Sequence, residues 1–491
     1  MKVLFVYSGY ENLGVEYLSA ALREAGHRTA LAFDPRLFDD HYTRAPLLAR
    51  LLDRRQAMLA RAEGERPDLL AFSVVTEDFT WACEVAGELK QRLGLPVVFG
   101  GVHVSSVPRR VMEEPVVDYA VVGEGERALV ALADRLEAGR PVDDVPNLCF
   151  RRHGQVVQTD LAPLLQDLDA LPLPHKELFY DQLPYLRRDY MTMTSRGCPN
   201  RCTYCFNDSM RRLYRGKGRY VRRRSVDAVL GELVRARATW PLERVQFYDD
   251  VFTTDRAWLE RLAPRYRHEV ALPFWCSVNP RFVDRDVVHL LADMGCWEVQ
   301  MGVQTINRRL RRALRRPEDI DQVRRAVELF RAAGIKVVLD NISGVPGETE
   351  ADVLESLAFY NRVRPSRISD YYMRYYPATE VVEQALAAGA LDPAAVEELE
   401  RGRGSESFAL GGTAGVTTRQ RRLHFLLAVL LQLPPGLNQQ ILSRRLFRFL
   451  PRHDGLARVI IRLVDVLRRE DINAERYWAK YFHFLTPGAA P

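Results

Sequence analysis

Three cysteines carry the most specific chemistry in this 491-residue chain. Cys198, Cys202 and Cys205 lie at x3 and x2 spacing within Thr194-Ser195-Arg196-Gly197-Cys198-Pro199-Asn200-Arg201-Cys202-Thr203-Tyr204-Cys205-Phe206. The loop is rich in Gly, Pro and Asn and follows the short apolar strand Tyr190 to Thr194, so the three thiols can converge on one metal centre. Structural zinc takes four protein ligands and catalytic zinc three plus water, whereas a triad made only of thiolates favours an iron-sulfur cluster. A zinc knuckle or unrelated thiols are the alternatives. Three thiolates on a four-iron cluster leave one iron without a protein ligand, where a small molecule can bind and take an electron directly.

The spacing closely resembles the CxxxCxxC signature of the radical S-adenosylmethionine (SAM) family. The resemblance implies that Cys198, Cys202 and Cys205 hold a 4Fe-4S cluster and that the open iron binds the amino and carboxylate groups of SAM. It also places aromatic Tyr204 beside the adenine.

The elements before this loop alternate short apolar runs with amphipathic segments. Strands are predicted at Val3–Tyr7, Thr29–Phe33, Leu69–Val75, Val97–Gly101 and Tyr119–Gly123, with helices near 14–25, 44–62, 79–92, 106–114 and 126–138. Continuous apolar strands separated by helices indicate a parallel sheet covered on both faces, a doubly wound Rossmann-like α/β domain over residues 1–142. Ligands of such sheets bind at the carboxyl ends of the strands. Those ends carry Ser73 and Thr76, the pair Gly100-Gly101, and Gly123-Glu124-Gly125; paired glycines admit close approach of a ligand. Ahead of a radical SAM motif, this resembles the cobalamin-binding domain of cobalamin-dependent radical SAM enzymes, in which a Ser-containing segment and a Gly-Gly pair hold the dimethylbenzimidazole tail. One departure concerns the Asp-x-His-x-x-Gly motif of other cobalamin domains. The corresponding loop is Ser8-Gly9-Tyr10-Glu11-Asn12-Leu13-Gly14 and has no histidine, which implies cobalt with neither its own base nor a protein histidine. His103 reads as a solvated loop histidine rather than a corrin contact.

Residues 143–189 read as a hairpin, Asn147–Arg151 with Val156–Thr159, followed by an ordered Pro-rich linker. Residues 190–400 return to strand-helix alternation, with strands at 244–249, 274–278, 298–303, 336–342 and 368–375 after the one preceding the cysteines. Six repeats resemble the partial (β/α)6 barrel of radical SAM enzymes, whose active groups project from strand ends. The series there is Asp249-Asp250, Ser277 with Asn279, Gln304, and the turn beginning at Gly344. The resemblance assigns the carboxylates to the SAM amino group, Gln304 to the position where relatives often carry a ribose-binding glutamate, and Gly344 to the adenine side. The stretch from Arg211 to Arg224 holds eight basic residues in fourteen, read as a solvated loop or one that pairs with acidic groups and cobalamin's phosphate.

Residues 401–491 form a helical segment opened by a Gly/Ser-rich boundary at Gly402–Gly415. Its basic amphipathic helices, including Leu456–Arg468, suit capping of the barrel or peripheral contact with a membrane surface. No apolar run reaches the length that spans a bilayer. No cysteine follows Cys296, so auxiliary clusters are not expected. Apolar residues make up 47% of the chain, charged residues 27%, and the net charge is +6, which describes a globular protein and does not call for nucleic acid. The opening Met1–Tyr7 runs straight into a strand, and scattered single cysteines point to a reducing cytosol.

The combined resemblance implies an enzyme that uses a reduced cluster to cleave SAM to a 5′-deoxyadenosyl radical and then methylates an unactivated carbon of a lipid or secondary metabolite through methylcobalamin. Its electron donor would be a flavodoxin or ferredoxin. The alternatives are a radical cyclisation of the anaerobic chlorophyll cyclase type, or a non-catalytic cobalamin-binding protein. A tRNA methylthiotransferase is disfavoured because only Cys83 and Cys149 precede residue 190.

Overall fold

The computed structural model describes residues 1–39, 45–403, 416–452 and 472–486. Two sheets organise them. The first contains β1 (Lys2–Ser8), β2 (Arg28–Asp34), β3 (Leu69–Ser73), β4 (Val97–Gly100), β5 (Tyr119–Val121), β6 (Leu148–Arg152) and β7 (Gln155–Gln158) in the order β2-β1-β3-β4-β5-β6-β7. The first five strands are parallel, with Phe5 opposite Ala71 and Ser73 opposite Gly100. The strand order reverses between β1 and β3, and a doubly wound sheet takes its ligand at such a switch point.

The hairpin expected in the connecting segment belongs instead to this sheet. β6 pairs antiparallel with β5, Ala120 opposite Cys149, and β7 closes the edge. The apolar Leu148-Cys149-Phe150 run, buried throughout, is what recruits it. The Pro-rich linker is equally integrated. Leu178, Phe179, Tyr180, Leu183 and Leu186 pack in one core with Phe5, Leu31 and Phe33.

The second sheet is built from β8 (Asp189–Thr192), β11 (Arg244–Phe247), β12 (Phe274–Val278), β13 (Cys296–Gln304), β14 (Lys336–Ser343) and β15 (Arg367–Tyr372), all parallel, with β8 and β15 at its edges. Between β8 and β11, the short strands β9 (Ser195–Arg196) and β10 (Arg222–Arg223) pair antiparallel on their own. Alternation along the barrel strands is strict: Val245 and Phe247, Cys276 and Val278, Val299 and Met301, and Val337 and Leu339 enter the core under the helices. Residues between them face the other side of the sheet. Side-chain caps fix where the covering helices start, since Ser225, Asp255, Asp284 and Thr349 each accept a backbone N–H from their first turn. The fold is therefore a B12-binding-type α/β domain followed by a partial radical SAM-type barrel.

The C-terminal segment divides between both halves. Helix Thr418–Val429 inserts Leu423, Leu426 and Leu427 into the barrel core. The last helix, Ile472–Leu485, instead runs back to the N-terminal domain: Phe484 stacks on Phe33 at 6.4 Å, Tyr481 meets Phe38 at 4.8 Å, and Lys480 donates to Pro35 O at 3.2 Å. No described helix is long and apolar enough to cross a membrane. The boundary residues 404–415 and the helical pattern Leu456–Arg468 lie outside the described residues.

Candidate active site at the domain junction

The cysteine loop is clamped from both sides. Asp249, at the end of β11 and only 2% exposed, accepts from Thr194 N at 3.0 Å, from Thr194 Oγ1 at 2.7 Å and from Ser195 Oγ. Arg223 Nη1 donates to Thr194 Oγ1 at 2.8 Å. Gly197 has φ +85°, and a Cβ there would stand 2.4 Å from Tyr220 O, so the entry to the loop requires glycine. Helix Phe206–Leu213 starts immediately after Cys205, which aims the positive end of its dipole at the thiol loop.

Burial pushes the Cys198 thiol up to about 11 and the Cys205 thiol up to about 12, and the neighbouring thiols repel one another's anions. Ionising the Cys198 and Cys205 thiols calls for opposing positive charge, which a metal centre supplies. No group of three or more His, Cys, Asp or Glu side chains among the described residues converges on a single ion.

A buried cation completes the loop's surroundings. Arg316 Nη1 lies 3.6 Å from Cys202 Sγ, Nη2 lies 2.7 Å from Glu318 Oε1 and donates to Gly302 O, and the buried Nε has no partner. An orphaned guanidinium N–H beside the cluster cysteines fits a carboxylate ligand. Asp250 supplies the complement: it is solvent-accessible, it accepts from Asn207 Nδ2 at 2.8 Å, and desolvation at the junction raises its carboxyl to about 6, and a carboxylate here is placed to pair with an amine. Neither Arg316 nor Glu318 was singled out in the sequence, where they fall in the run Arg311–Glu318 without a motif.

Other predicted positions distribute as follows. Tyr204 packs against the cluster of Leu310, Leu314 and Val345, which joins it to the Gly344 turn. Gly344 N donates to Glu348 Oε2 at 2.8 Å. Gln304 ends β13 beyond a register shift, with φ +67°, a conformation that non-glycine residues hold only under constraint. Ser277 is half-buried on β12, and Asn279 beyond it donates to Glu318 Oε1 at 2.5 Å.

The carboxyl ends of β3, β4 and β5 open on a cavity of about 360 Å3, within the range of small-molecule sites. Ser73, Gly100, Gly101 and Gly125 line it, and so do Arg196, Phe206, Asn207 and Asp250 from the cysteine side. A Cβ at Gly100 would make ordinary van der Waals contact with Val121 at 3.9 Å, so a methyl group fits there; at Gly101 it would strike Val74 O at 2.6 Å. No histidine is among the residues lining the cavity. Glycine backbone at these strand ends, Gly100 and Gly125 among it, lets the tail of a cofactor approach the sheet closely.

Three predicted positions serve other ends. Thr76 is buried away from the cavity and lies 3.1 Å from His103 Nδ1. His103 is itself 1% exposed, its ring tilted against Phe79 at 4.5 Å, and its imidazole is lowered to about 4 by burial, so it is a core residue and not a solvated one. Glu124 lines the cavity but pairs with Arg196 at 3.3 Å and Arg222 at 2.8 Å. Gly123 is a seat for Tyr214, whose hydroxyl would lie 1.9 Å from a Cβ. The basic stretch is accordingly structural: Arg211 donates to Cys198 O, Arg222 to Leu165 O, and Arg224 to Glu232 at 2.5 Å.

Comparison with known proteins follows the same division. Residues 3–133 match the B12 binding domain model and residues 192–360 the Radical SAM superfamily model. An uncharacterized methyltransferase of Pyrococcus horikoshii is 27% identical over 334 residues, 66% of this chain and 71% of that one. An anaerobic magnesium-protoporphyrin IX monomethyl ester cyclase of Synechocystis is 24% identical over 312 residues, 62% and 61% of the two chains. The radical SAM methyltransferase TsrM of Kitasatospora setae, solved with tryptophan and a SAM analogue, shares the fold at TM-score 0.64 and 22% identity over 78% of this chain and 76% of that one. The chain therefore carries a B12-binding domain and a radical SAM domain that meet at one cavity, and the cofactors these two domains take are SAM, a 4Fe-4S cluster and cobalamin.

Proposed function

We propose that the protein is a C-methyltransferase that acts on an unactivated carbon of a lipid or secondary metabolite. One observation carries the reading: a single cavity runs from the strand ends of the B12-binding domain to the loop that begins the cluster signature. When bound, the cofactors supply one-electron cleavage of SAM, hydrogen abstraction by the 5′-deoxyadenosyl radical, and a methyl group for the resulting carbon radical.

The chain's own residues bind and orient. Cys198, Cys202 and Cys205 ligate the cluster. Arg316 holds the carboxylate of SAM and Asp250 its amino group, opposite charges that orient the amino acid end toward the open iron. Gln304 serves the ribose hydroxyls, as both donor and acceptor, while Tyr204 and the Gly344 turn border the adenine. Asp249 acts indirectly by fixing Thr194 and Ser195. Ser73, Gly100, Gly101 and Gly125 would hold the cobalamin tail. The N-terminal domain packs on strand β8 of the barrel through Leu13 and Tyr17, which meet Met191. A small electron-transfer protein of the flavodoxin or ferredoxin class would reduce the cluster.

The similarity to the cyclase keeps a second reading alive, in which the same cofactors close a ring. The test is anaerobic turnover with methyl-labelled SAM and candidate metabolites, scoring label in product against 5′-deoxyadenosine formed. One labelled methyl per 5′-deoxyadenosine supports methyl transfer; 5′-deoxyadenosine with an unmethylated cyclised product replaces it.

A further inference from the structure

The barrel half contributes one residue to the cobalamin side of the cavity whose hydrogen bonding is incomplete. Tyr214 follows helix Phe206–Leu213, which itself follows Cys205, and its ring reaches across the junction to the end of β5. The side chain is 4% exposed and lines the cavity. Its hydroxyl oxygen accepts from Glu124 N at 2.7 Å and from Asn147 Nδ2 at 3.3 Å. The amide of Asn147 is fixed in that orientation, because its Oδ1 accepts from Ala162 N at 2.6 Å and its Nδ2 also donates to Glu124 O at 3.1 Å. A phenol has two acceptor lone pairs and one proton. Both lone pairs are engaged by N–H groups, so the proton points away from them, and no acceptor for it occurs among the described residues.

We infer that Tyr214 donates this proton to an acceptor oxygen or nitrogen on the nucleotide tail of cobalamin, and that Gly123 is glycine to let it do so. The inference rests on the reading of the cavity as the cobalamin site. It makes the site bipartite: the N-terminal domain supplies the glycine cradle, and the radical SAM half supplies the donor, from the far end of the helix that begins at the cluster's last cysteine. The tail is the part addressed because Gly123 N donates to Ser105 Oγ, which in turn donates to Gly101 O. Tyr214 thus stands beside the Gly100-Gly101 crossing, and Ser105, the adjacent hydroxyl, has its proton committed.

The experiment compares cobalamin with cobinamide, which lacks the nucleotide tail, by absorbance titration of the full-length protein with its cluster reconstituted. Tyr214→Phe keeps the ring and removes the proton. It should weaken cobalamin about tenfold, or about 1.4 kcal/mol, leave cobinamide within about twofold, and leave iron content unchanged. Asn147→Asp provides a second variant, since it turns a donor to the hydroxyl into an acceptor that captures the proton, and should give the same selective loss. Unchanged cobalamin affinity in a folded variant, or equal losses for both ligands, would overturn the inference. A wild-type protein that binds neither corrinoid would instead overturn the cavity's assignment.

Discussion

Replacing Lys176 by Met tests how the two halves are held in register. Lys176 lies in the linker with its ammonium 2.9 Å from Glu11 and 2.7 Å from Glu16, all three side chains 0% exposed. Its charge also sits 4.9 Å from the Tyr190 ring of β8. Opposing carboxylates hold Lys176 above the usual lysine range against the cost of burial. Glu11 is lowered because two cations outweigh its burial, the second being Arg476 of the last helix at 2.6 Å, whereas burial keeps Glu16 well above the usual carboxylate range. Met fills the same space without the charge. Glu11 would retain Arg476, while Glu16 would lose its cation. Removing one partner of a buried pair costs about 3 to 5 kcal/mol, which for a unit of this size lowers the melting temperature by roughly 10 °C. Adding Glu16→Gln removes the orphaned carboxyl and should return at least about 2 kcal/mol, measured as a double-mutant cycle by thermal denaturation at pH 8. A single-variant loss under about 1 kcal/mol, or no recovery in the double variant, would refute the assignment of Lys176 as the cation that sustains this junction.

The two glycines at the end of β4 should behave differently. Gly101→Ala, at φ +104° with a Cβ 2.6 Å from Val74 O, should destabilise the N-terminal domain by roughly 2 kcal/mol or more in denaturant titration. Gly100→Ala meets nothing nearer than 3.9 Å, so it should leave stability nearly unchanged and reduce cobalamin affinity, read by absorbance. Asp370 is raised to about 6 mainly by burial, and Asn341 Nδ2 and Ser343 Oγ donate to it at 2.7 Å and 2.9 Å. A carboxyl raised in the folded state contributes stability that is present below its unfolded value of 3.8 and is lost as pH rises through about 6. Asp370→Asn should therefore gain on wild type by up to about 3 kcal/mol between pH 4 and pH 8, measured as the difference in melting temperature; a constant difference would contradict the shift. Arg316→Met should raise the SAM dissociation constant at least about tenfold while iron content is retained, because the truncation removes a charge-assisted contact.

Periodicity made most of the scaffold legible. The predicted barrel strands at 274–278 and 336–342 occur at Phe274–Val278 and Lys336–Ser343, since apolar alternation is a local property. The cysteine loop was legible because its chemistry depends on spacing within eight residues. What escaped depends on partners far apart in sequence. Gly123 reads as a ligand turn until Tyr214 is seen against it, and Glu124 as a cofactor contact until Arg196 and Arg222 are placed. Nothing local to Lys176 announces Glu11, and nothing local to Glu11 announces Arg476, 465 residues away. The expected long helix over 44–62 is broken, with segments at Pro46–Leu51 and Arg55–Gly64 separated by Leu52 to Arg54, where Asp53 accepts from Arg55 N. The hairpin of β6 and β7 was recognised as a hairpin, but its pairing with β5 is a long-range choice that turn residues do not encode.

The most direct test of the account is anaerobic reconstitution with iron, sulfide and methylcobalamin, followed by counts of cobalamin and cluster per chain and an assay for 5′-deoxyadenosine from SAM. The account predicts about one cobalamin and one four-iron cluster per chain, with SAM cleavage abolished when Cys198, Cys202 and Cys205 are all alanine. A cluster that forms without cobalamin, or SAM cleavage that persists in the triple variant, would contradict it.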